Sequence, residues 1–479
     1  MSDSLIGTRA LRSLLGDWRE AAPGALYHAL FDRIRLLILD GRIPAGTRLP
    51  AERELAQALA VSRTLVTSAY RELREAGYSS SVRGSGSVTR APGRPPADTR
   101  SVPGYLDLTK AVMPASPGII EATEAAMSDF ARYLGGPGYN FEGITELRDA
   151  VAERYGARGL PTSREQILIT TGAQNAIALL SRLLLGRGDR ALVELPSYPH
   201  AYEALAQAGA RLVPVNVTAG EGWDAEALQQ LMQRTNPTVG YLMPDFHNPT
   251  GESMSAELRE RTIDWATRSG TTIVADETSG ELDIDRADTL LPFGAYAGSG
   301  AEKSVVMIGS VGKTIWDGLR VGWIRAEPGL IRSLAAARPA NDLGTPVLEQ
   351  LIVARMLADM PEILEHRREQ LRTNRNRLEE IIADRFVEWT MPRVHGGIAA
   401  WVGLGSASSS QLALAARAEG LLITAGPRFG IDGALERFVR IPLGAPVDQL
   451  ERGMDALERS WQSILRNPLP DTRLFGEVA

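Results

Sequence analysis

The chain of 479 residues contains no cysteine, so disulfide bonds, thiolate nucleophiles and cysteine-based metal sites are all excluded. Its five histidines are scattered without metal-ligand spacing, and no metal site is predicted. The most apolar stretch is far too short to cross a bilayer, and the first residues lack the basic and apolar runs of a signal peptide. We therefore expect a cytoplasmic protein that does not associate with membranes.

Lysine is also scarce. Only Lys110, Lys303 and Lys313 occur, against forty-nine arginines. A cofactor that forms an imine with a protein needs a primary amine, which arginine cannot supply. Lys313 lies shortly after the apolar run 305–308, whereas a simple bias towards arginine would explain the scarcity but not this position.

Charge is unevenly distributed along the chain. Residues 25–95 contain eleven arginines against six aspartates and glutamates, a balance of +5, while the whole chain carries −6 and the remainder therefore −11. A basic segment on an acidic protein indicates contact with a polyanion, although a solvated helical face can also be basic.

The basic segment has the pattern of a helix-turn-helix followed by a hairpin. The predicted elements are helices over 26–38, 52–59 and 63–75 and strands over 78–82 and 87–89. The second and third helices are joined by about three residues, and Ser62 is suited to cap the third. The glycine-rich turn 83–86 between the two strands is typical of a wing.

The motifs of this segment are those of a known DNA-binding fold. They read Leu49-Pro50-Ala51-Glu52-Arg53-Glu54-Leu55-Ala56, Val61-Ser62-Arg63-Thr64 and Arg83-Gly84-Ser85-Gly86-Ser87. The segment resembles the GntR-type winged helix-turn-helix, which implies that the start of the third helix enters the major groove and the wing tip the minor groove. The DNA-binding residues so implied are Arg53, Ser62, Arg63, Thr64, Arg83 and Gly84. Many members of that family have a basic residue at the position of Thr67, so one family contact is in doubt.

A Pro-rich linker over 91–104 separates residues 1–90 from the rest of the chain. Residues 105–479 alternate strand-like and helix-like segments, which predicts an α/β fold with a mainly parallel sheet covered by helices. The strands are predicted at 166–171, 190–194, 211–215, 239–243, 272–275 and 305–308. Ligands of such sheets bind at the carboxyl ends of the strands.

Short polar motifs follow these strand ends. They are Gly172-Ala173-Gln174, Asn248-Pro249-Thr250-Gly251, Asp276-Glu277, Ser310 with Lys313, and Gly318-Leu319-Arg320-Val321-Gly322. In this order they resemble the fold type I, aspartate-aminotransferase-like enzymes that use pyridoxal 5′-phosphate, with a smaller C-terminal α+β subdomain from about 345 to 479. A Walker-type phosphate loop around Lys313 is disfavoured, because Met307 stands where its first glycine is required.

The resemblance implies a role for each residue. Lys313 would form the imine with the cofactor aldehyde, and Asp276 would pair with the pyridine nitrogen, so that the ring acts as an electron sink. Asn248 would bind the 3′-oxygen and Tyr198 would stack on the ring. Arg440 stands where the family binds a substrate carboxylate, with an ion pair at the surface or in a dimer as the alternative. The phosphate ligands implied are Ala173, Gln174, Ser310 and Arg320, together with Tyr139 from the neighbouring subunit of a homodimer.

One position departs from the aminotransferase pattern. The family usually has a tyrosine two or three residues after the pyridine-pairing aspartate, and this chain has Thr278 and Ser279 there. A shorter hydroxyl remains, which puts the electronics of the cofactor and transamination in doubt, but not cofactor binding.

The fusion of the two parts resembles the MocR subfamily of GntR-type transcriptional regulators. The resemblance predicts a pyridoxal-phosphate-dependent regulator that binds a double-stranded DNA operator as a head-to-tail homodimer. The cofactor, or an amine or amino acid effector that reacts at Lys313, would change operator binding through different affinity for two states. Two alternatives stay open: an aminotransferase with an accessory DNA-binding module, and a DNA-binding protein whose second part only dimerises.

Overall fold

The basic N-terminal segment folds into helices followed by a β-hairpin. The structure, a computed structural model, describes residues 5–15, 18, 26–39, 43–44, 46–82, 86–90, 105–288, 290–431 and 434–466. The elements of this segment are α1 (Thr8–Leu15), α2 (Leu26–Leu39), α3 (Glu52–Leu59), α4 (Arg63–Glu75), β1 (Ser79–Val82) and β2 (Gly86–Thr89). The predicted helix-turn-helix and hairpin are confirmed, and the further helix α1 precedes them.

Local caps set the turn between α3 and α4. Ala60 ends α3 in the left-handed conformation, at φ 51°, and Ser62 starts α4 by accepting a hydrogen bond from the Leu65 amide at 3.2 Å. The helices share one apolar core, which includes Leu30, Leu55, Val66 and Leu73. The apolar faces of the helices form this core, and the polar start of α4 lies at the surface.

The rest of the chain alternates strands and helices. It continues with β3 (Leu106–Asp107), α5 (Ile119–Phe130), α6 (Thr145–Ala157), β4 (Ile167–Thr170), α7 (Gly172–Leu184), β5 (Arg190–Leu195), α8 (Pro199–Gln207), β6 (Arg211–Thr218), β7 (Gly222–Trp223), α9 (Ala225–Thr235), β8 (Val239–Leu242), α10 (Ala256–Ser269), β9 (Thr272–Asp276) and β10 (Val305–Ser310). It ends with β11 (Gly322–Arg325), α11 (Pro328–Ala337), α12 (Val347–Met356), α13 (Met360–Arg385), β12 (Ala399–Gly403), α14 (Ser409–Ala418), β13 (Leu421–Leu422), β14 (Thr424–Ala425), β15 (Phe438–Pro442) and α15 (Val447–Arg466).

An eight-stranded sheet organises the larger part of the chain, in the order β4-β11-β10-β9-β8-β5-β6-β7. The five central strands from β10 to β6 run parallel, as predicted. β11 was not predicted, and it lies antiparallel between β10 and β4. Since β4, β8, β9 and β10 therefore point the same way, the polar motifs that follow them meet at one edge of the sheet.

Both faces of this sheet are covered by apolar side chains. Along β10, Val305 and Met307 belong to one apolar cluster, whereas Val306 and Ile308 belong to the other. This alternation is that of a strand buried on both faces, and it explains why the strands read as continuous apolar runs.

The chain divides into two structural units. The first comprises residues 1–108, 403–439 and 451–479, and the second comprises 109–402 and 440–450. Within the first unit, β3 pairs in parallel with β13. The domain boundaries predicted from the sequence, at 1–90, 91–104 and 105–479 with a subdomain from about 345, stay predictions. Among the described helices, none combines the length and apolar character needed to traverse a lipid bilayer.

Candidate functional site

Lys313 lies in a single π-helical turn, Gly312–Trp316, directly after β10. Its Nζ donates a hydrogen bond to the main-chain carbonyl of Ala111 at 2.7 Å. Removal from water lowers the pKa of the Lys313 amine, and Arg440 acts in the same direction while Asp317 opposes it. Lys110 and Lys303, by contrast, are exposed. The amine of Lys313 is thus the lysine amine held at the ligand-binding edge, and it gives up its proton more readily than an ordinary lysine does.

Asp276 ends β9 at the same edge and is buried. Its carboxylate accepts hydrogen bonds from the Tyr241 hydroxyl at 2.6 Å and from the Thr278 amide at 2.9 Å. Burial raises the pKa of Asp276, and these two neighbours counteract part of the rise. A cationic ring nitrogen placed against this carboxylate would offset the cost of burying its charge.

Tyr241 is a site residue that the sequence analysis missed. It lies on β8, where the pattern predicts only a buried apolar strand. Burial, followed by the charge of Asp276, raises its pKa well above the ordinary value, so the phenol keeps its proton and donates it. A tyrosine in an otherwise apolar strand was the available signal, because a buried phenol needs a polar partner.

The start of α7 forms an anion cradle with the loop before β11. Gly172 has φ +76°, and a Cβ built on it would lie 2.6 Å from an Arg320 guanidinium nitrogen. A Cβ on Gly322 would lie 2.9 Å from the Ala173 amide nitrogen. Glycine at both positions therefore lets a guanidinium and the first amides of α7 approach each other, which is an arrangement suited to a phosphate.

Two further predicted phosphate ligands border the cradle. The Ser310 hydroxyl accepts a hydrogen bond from the Gly312 amide at 3.1 Å, which fixes it at the end of β10. The side-chain amide of Gln174 donates to the carbonyl of His200 at 3.1 Å. The group that Gln174 would offer to a phosphate is therefore its main-chain N–H, in the first turn of α7. Arg320 itself is partly exposed and pairs with Asp317 at 2.6 Å.

Arg440 and Asn248 are brought together, as their predicted roles require. One Arg440 guanidinium nitrogen lies 3.4 Å from Asn248 Oδ1, and the other donates to the Thr109 carbonyl at 2.5 Å. Arg440 is buried, and desolvation lowers its pKa to about 10, with Tyr198 opposing. Arg440 is therefore not a surface residue, and its predicted role in binding a carboxylate stays a prediction.

Tyr198 caps α8 and is partly buried. Burial, and then the charges of Asp276 and Asp317, raise its pKa to about 12, so the ring is uncharged at neutral pH. The ring of His200 meets it edge-on at 5.3 Å. A neutral aromatic ring near Asp276 is suited to stack on a planar heterocycle.

The exposed DNA-binding candidates lie around the start of α4. Arg53, Arg63 and Thr64 are exposed, and Ser62 is the cap described above. Thr67 donates to Glu52 at 2.7 Å, and Arg63 Nε lies 3.9 Å from the same carboxylate while remaining 71% exposed. Arg63 is thus available to another anion. Arg83 and Gly84 lie outside the described residues, so their predicted roles stay predictions.

Tyr139, predicted to reach the neighbouring subunit, is half exposed and packs on Phe141 at 5.7 Å between ring centroids. Thr278 contributes its amide to Asp276, as given above, and it and Ser279 are partly buried. Neither observation tests the subunit contact or transamination.

Comparisons with known proteins agree with both halves of this description. Residues 105–457 match the family described as aminotransferase class I and II, and residues 26–88 match the gntR family of bacterial regulatory proteins. The chain belongs to the aminotransferase class I and II family. Its N-terminal segment adds the GntR-type DNA-binding domain, and the pair of domains is that of the MocR subfamily, as the sequence predicts.

Relatives occur on both sides of this combination. The chain is 31% identical to a 2-aminoadipate transaminase of Thermus thermophilus, over 68% of this chain and 81% of that protein. It is 26% identical to the uncharacterized HTH-type transcriptional regulator YdfD of Bacillus subtilis, over 89% and 94%. It is 30% identical to the probable rhizopine catabolism regulatory protein MocR of Rhizobium meliloti, over 64% and 66%.

The solved structures include a close match in fold. The α-aminoadipate aminotransferase LysN of Thermus thermophilus, complexed with N-(5′-phosphopyridoxyl)-L-leucine, aligns with a TM-score of 0.69 and 28% identity. The alignment covers 76% of this chain and 93% of that one. The predicted fold type I body is therefore confirmed.

Proposed function

We propose that this protein is a transcriptional regulator whose operator binding responds to pyridoxal 5′-phosphate, or to an amine or amino acid reacting at Lys313. The observation that carries the proposal is the meeting of a lysine amine, a buried carboxylate and an anion cradle at one sheet edge. The same chain presents the exposed recognition residues Arg63 and Thr64.

The residues at the edge fit this cofactor group by group. The close approach of Arg320 to the first residues of α7, which glycine at 172 and 322 allows, suits its phosphate, with Arg320, Ser310 and the α7 amides as ligands. Asp276 suits its pyridine nitrogen, and Tyr198 its ring face. When bound, the cofactor supplies an aldehyde that condenses with amines and a ring that accepts electrons.

The effector is inferred to carry both an amine and a carboxylate. Arg440 is a buried guanidinium beside Asn248, and it donates to the carbonyl of Thr109. A carboxylate can accept two parallel hydrogen bonds from a guanidinium, which a carbonyl cannot. An amino acid would therefore be bound at its carboxylate by Arg440 while its amine approaches the carbon that Lys313 holds.

The test is spectroscopic and then functional. Purified protein mixed with pyridoxal 5′-phosphate should develop a yellow absorption that borohydride traps on Lys313, and Lys313→Ala should lose both while remaining folded. The wild-type protein should bind its own upstream DNA in a salt-dependent manner, and the cofactor should change that affinity. A colourless protein without a trapped label would overturn the proposal.

A second candidate, an aminotransferase, is favoured by the 2-aminoadipate transaminase relative and by the completeness of the site. Its test is turnover with a panel of amino donors and 2-oxo acids. Thr278 and Ser279, in place of the family tyrosine, argue for weak turnover. Rates at ordinary enzymic levels, on the order of 1–1000 per second, would favour the enzyme over the regulator.

We also infer a head-to-tail homodimer. The second unit exposes several large apolar side chains, which are Ile120, Met127, Leu134, Tyr139 and Leu343. Such side chains at the surface are typical of a subunit interface. Sedimentation velocity would test the stoichiometry, and loss of cofactor affinity in Tyr139→Ala would support a ligand contributed by the partner.

A further inference from the structure

Residues 109–116, here called the reporter segment, are held by basic side chains from three different elements. The segment belongs to the second unit and follows the Pro-rich stretch 91–104 and β3 in the sequence. Its carbonyls accept hydrogen bonds as follows: Thr109 from Arg440 at 2.5 Å, Ala111 from Lys313 at 2.7 Å, and Pro114 from Arg367 at 2.6 Å. Each donor is a basic side chain and each acceptor is a main-chain carbonyl, so the contacts fix the backbone of the segment rather than its side chains.

Two of these three donors also have a role in the proposed function. Lys313 is the amine that would condense with the aldehyde, and Arg440 is the guanidinium that would take a carboxylate. Each now satisfies a carbonyl of the reporter segment. The segment and the ligands therefore compete for the same donors.

Arg367 is the third donor, and it links the lysine-bearing turn to the segment. It lies on α13 and is buried. Besides Pro114 it donates to the carbonyls of Thr314 and Ile315, both at 2.8 Å, directly after Lys313. Desolvation lowers its pKa to about 10, yet its charge remains at neutral pH. It also donates to the amide oxygen of Gln370 at 3.2 Å.

A main-chain contact completes the attachment at this end. The Ser116 amide donates to the Ile315 carbonyl at 2.9 Å. The portion 114–116 is therefore tied to the lysine-bearing turn independently of the amine. The portion 109–111 accepts hydrogen bonds from Lys313 and Arg440.

Condensation changes the donor at Lys313. The neutral amine attacks the aldehyde carbon, a carbon–nitrogen double bond forms, and the aldehyde oxygen leaves as water with the two amine hydrogens. An ammonium offers three N–H donors, whereas the product nitrogen carries at most one. The Ala111 carbonyl then loses the free amine as its hydrogen-bond donor.

We propose that residues 109–111 are released when Lys313 condenses with an aldehyde, while Arg367 keeps 114–116 in place as a positioning residue. The inference rests on the proposed function, and it names the segment of the chain that responds to the reaction at Lys313.

Hydrogen–deuterium exchange of peptides covering 109–116 in the full chain tests this. Pyridoxal 5′-phosphate should raise exchange there roughly tenfold, the factor that corresponds to about 1.4 kcal/mol. Lys313→Arg keeps a cationic donor but cannot condense, so its segment should stay protected with and without the cofactor. Protection unchanged in the wild type while the yellow absorption develops would overturn the release. Absence of the absorption would instead count against the proposed function.

The role of Arg367 has its own arm. Arg367→Met should raise exchange of 114–116 before any cofactor is added, while the yellow absorption still forms. Arg377→Met, on the same helix, removes an exposed partner of Glu380 and should leave the segment unchanged. If Arg367→Met does not fold, Arg367→Lys retains a cation with fewer donors and should show the smaller increase. Normal protection of 114–116 in a folded Arg367 variant would refute the positioning role.

Discussion

The hydroxyl of Tyr241 donates to the carboxylate of Asp276 at 2.6 Å, across the adjacent strands β8 and β9. Both side chains are buried, and the hydrogen bond from Tyr241 holds the Asp276 carboxylate in one orientation. Its remaining capacity to accept a hydrogen bond faces the strand ends. The predicted partner of Asp276, a ring nitrogen, would approach from there.

Replacing Tyr241 tests this relationship. Tyr241→Phe removes one hydrogen bond to a charged group, worth about 1.5–3 kcal/mol, so cofactor affinity should fall by roughly ten- to a hundredfold. Absorbance titration with pyridoxal 5′-phosphate measures the change. Tyr133→Phe, which removes a contact with Glu146 outside the site, serves as the control and should titrate like the wild type. Equal affinities would show that Tyr241 does not orient Asp276.

The anion cradle makes a prediction that distinguishes phosphate binding from imine chemistry. Gly172→Ala places a methyl group against the Arg320 guanidinium, so affinity for pyridoxal 5′-phosphate should fall at least roughly tenfold, while reaction with pyridoxal, which lacks the phosphate, should be unchanged. Gly188→Ala is the matched control, since it has φ +91° but no atom within 4 Å. An equal loss for both aldehydes would indicate general damage to the site.

The environment of Lys313 predicts a pH dependence. Because burial lowers its pKa, the amine becomes neutral below the ordinary lysine value of 10.5, and the rate of imine formation should rise with pH and level off below that value. The unfolded chain binds this proton more tightly than the folded chain does. The contribution of Lys313 to the free energy of unfolding should therefore increase as the pH rises from the lowered pKa to 10.5. Stopped-flow absorbance against pH measures the turning point, with N-acetyllysine amide as the reference amine. A turning point at the reference value would contradict the burial effect.

DNA recognition depends on the exposed start of α4. Arg63→Ala should weaken operator binding by about 1–3 kcal/mol if the guanidinium contacts a base edge, and it should relax preference at one position. Fluorescence anisotropy with operator and scrambled duplexes, across several salt concentrations, gives both quantities. Arg268→Ala, an equally exposed arginine on α10, should have no effect. A uniform loss on both duplexes would make Arg63 a phosphate contact.

Much of this arrangement could be predicted because it is encoded locally. The strands are uninterrupted apolar runs, and Lys313, Asp276 and the glycine motifs follow their ends directly. Ser62 is likewise a local cap, and its position fixes the start of α4.

The parts that escaped prediction depend on distant contacts. β11 is short and lies antiparallel between two strands remote in sequence, so its place follows only from the assembled sheet. Tyr241 is distinguished from other strand residues by a carboxylate thirty-five positions away. Arg367 looks like one more arginine on a charged helix, and only its carbonyl partners near positions 114 and 314 single it out.

The hairpin from β10 to β11 carries both Lys313 and Arg320 on one short loop. The conformation of this loop consequently sets the distance between the Lys313 amine and the Arg320 guanidinium. A compound would be accepted only if its aldehyde carbon and its phosphorus are separated by the span that this loop dictates. Phosphorylated aldehydes in which this separation is shorter or longer should bind weakly, even when the aldehyde is reactive.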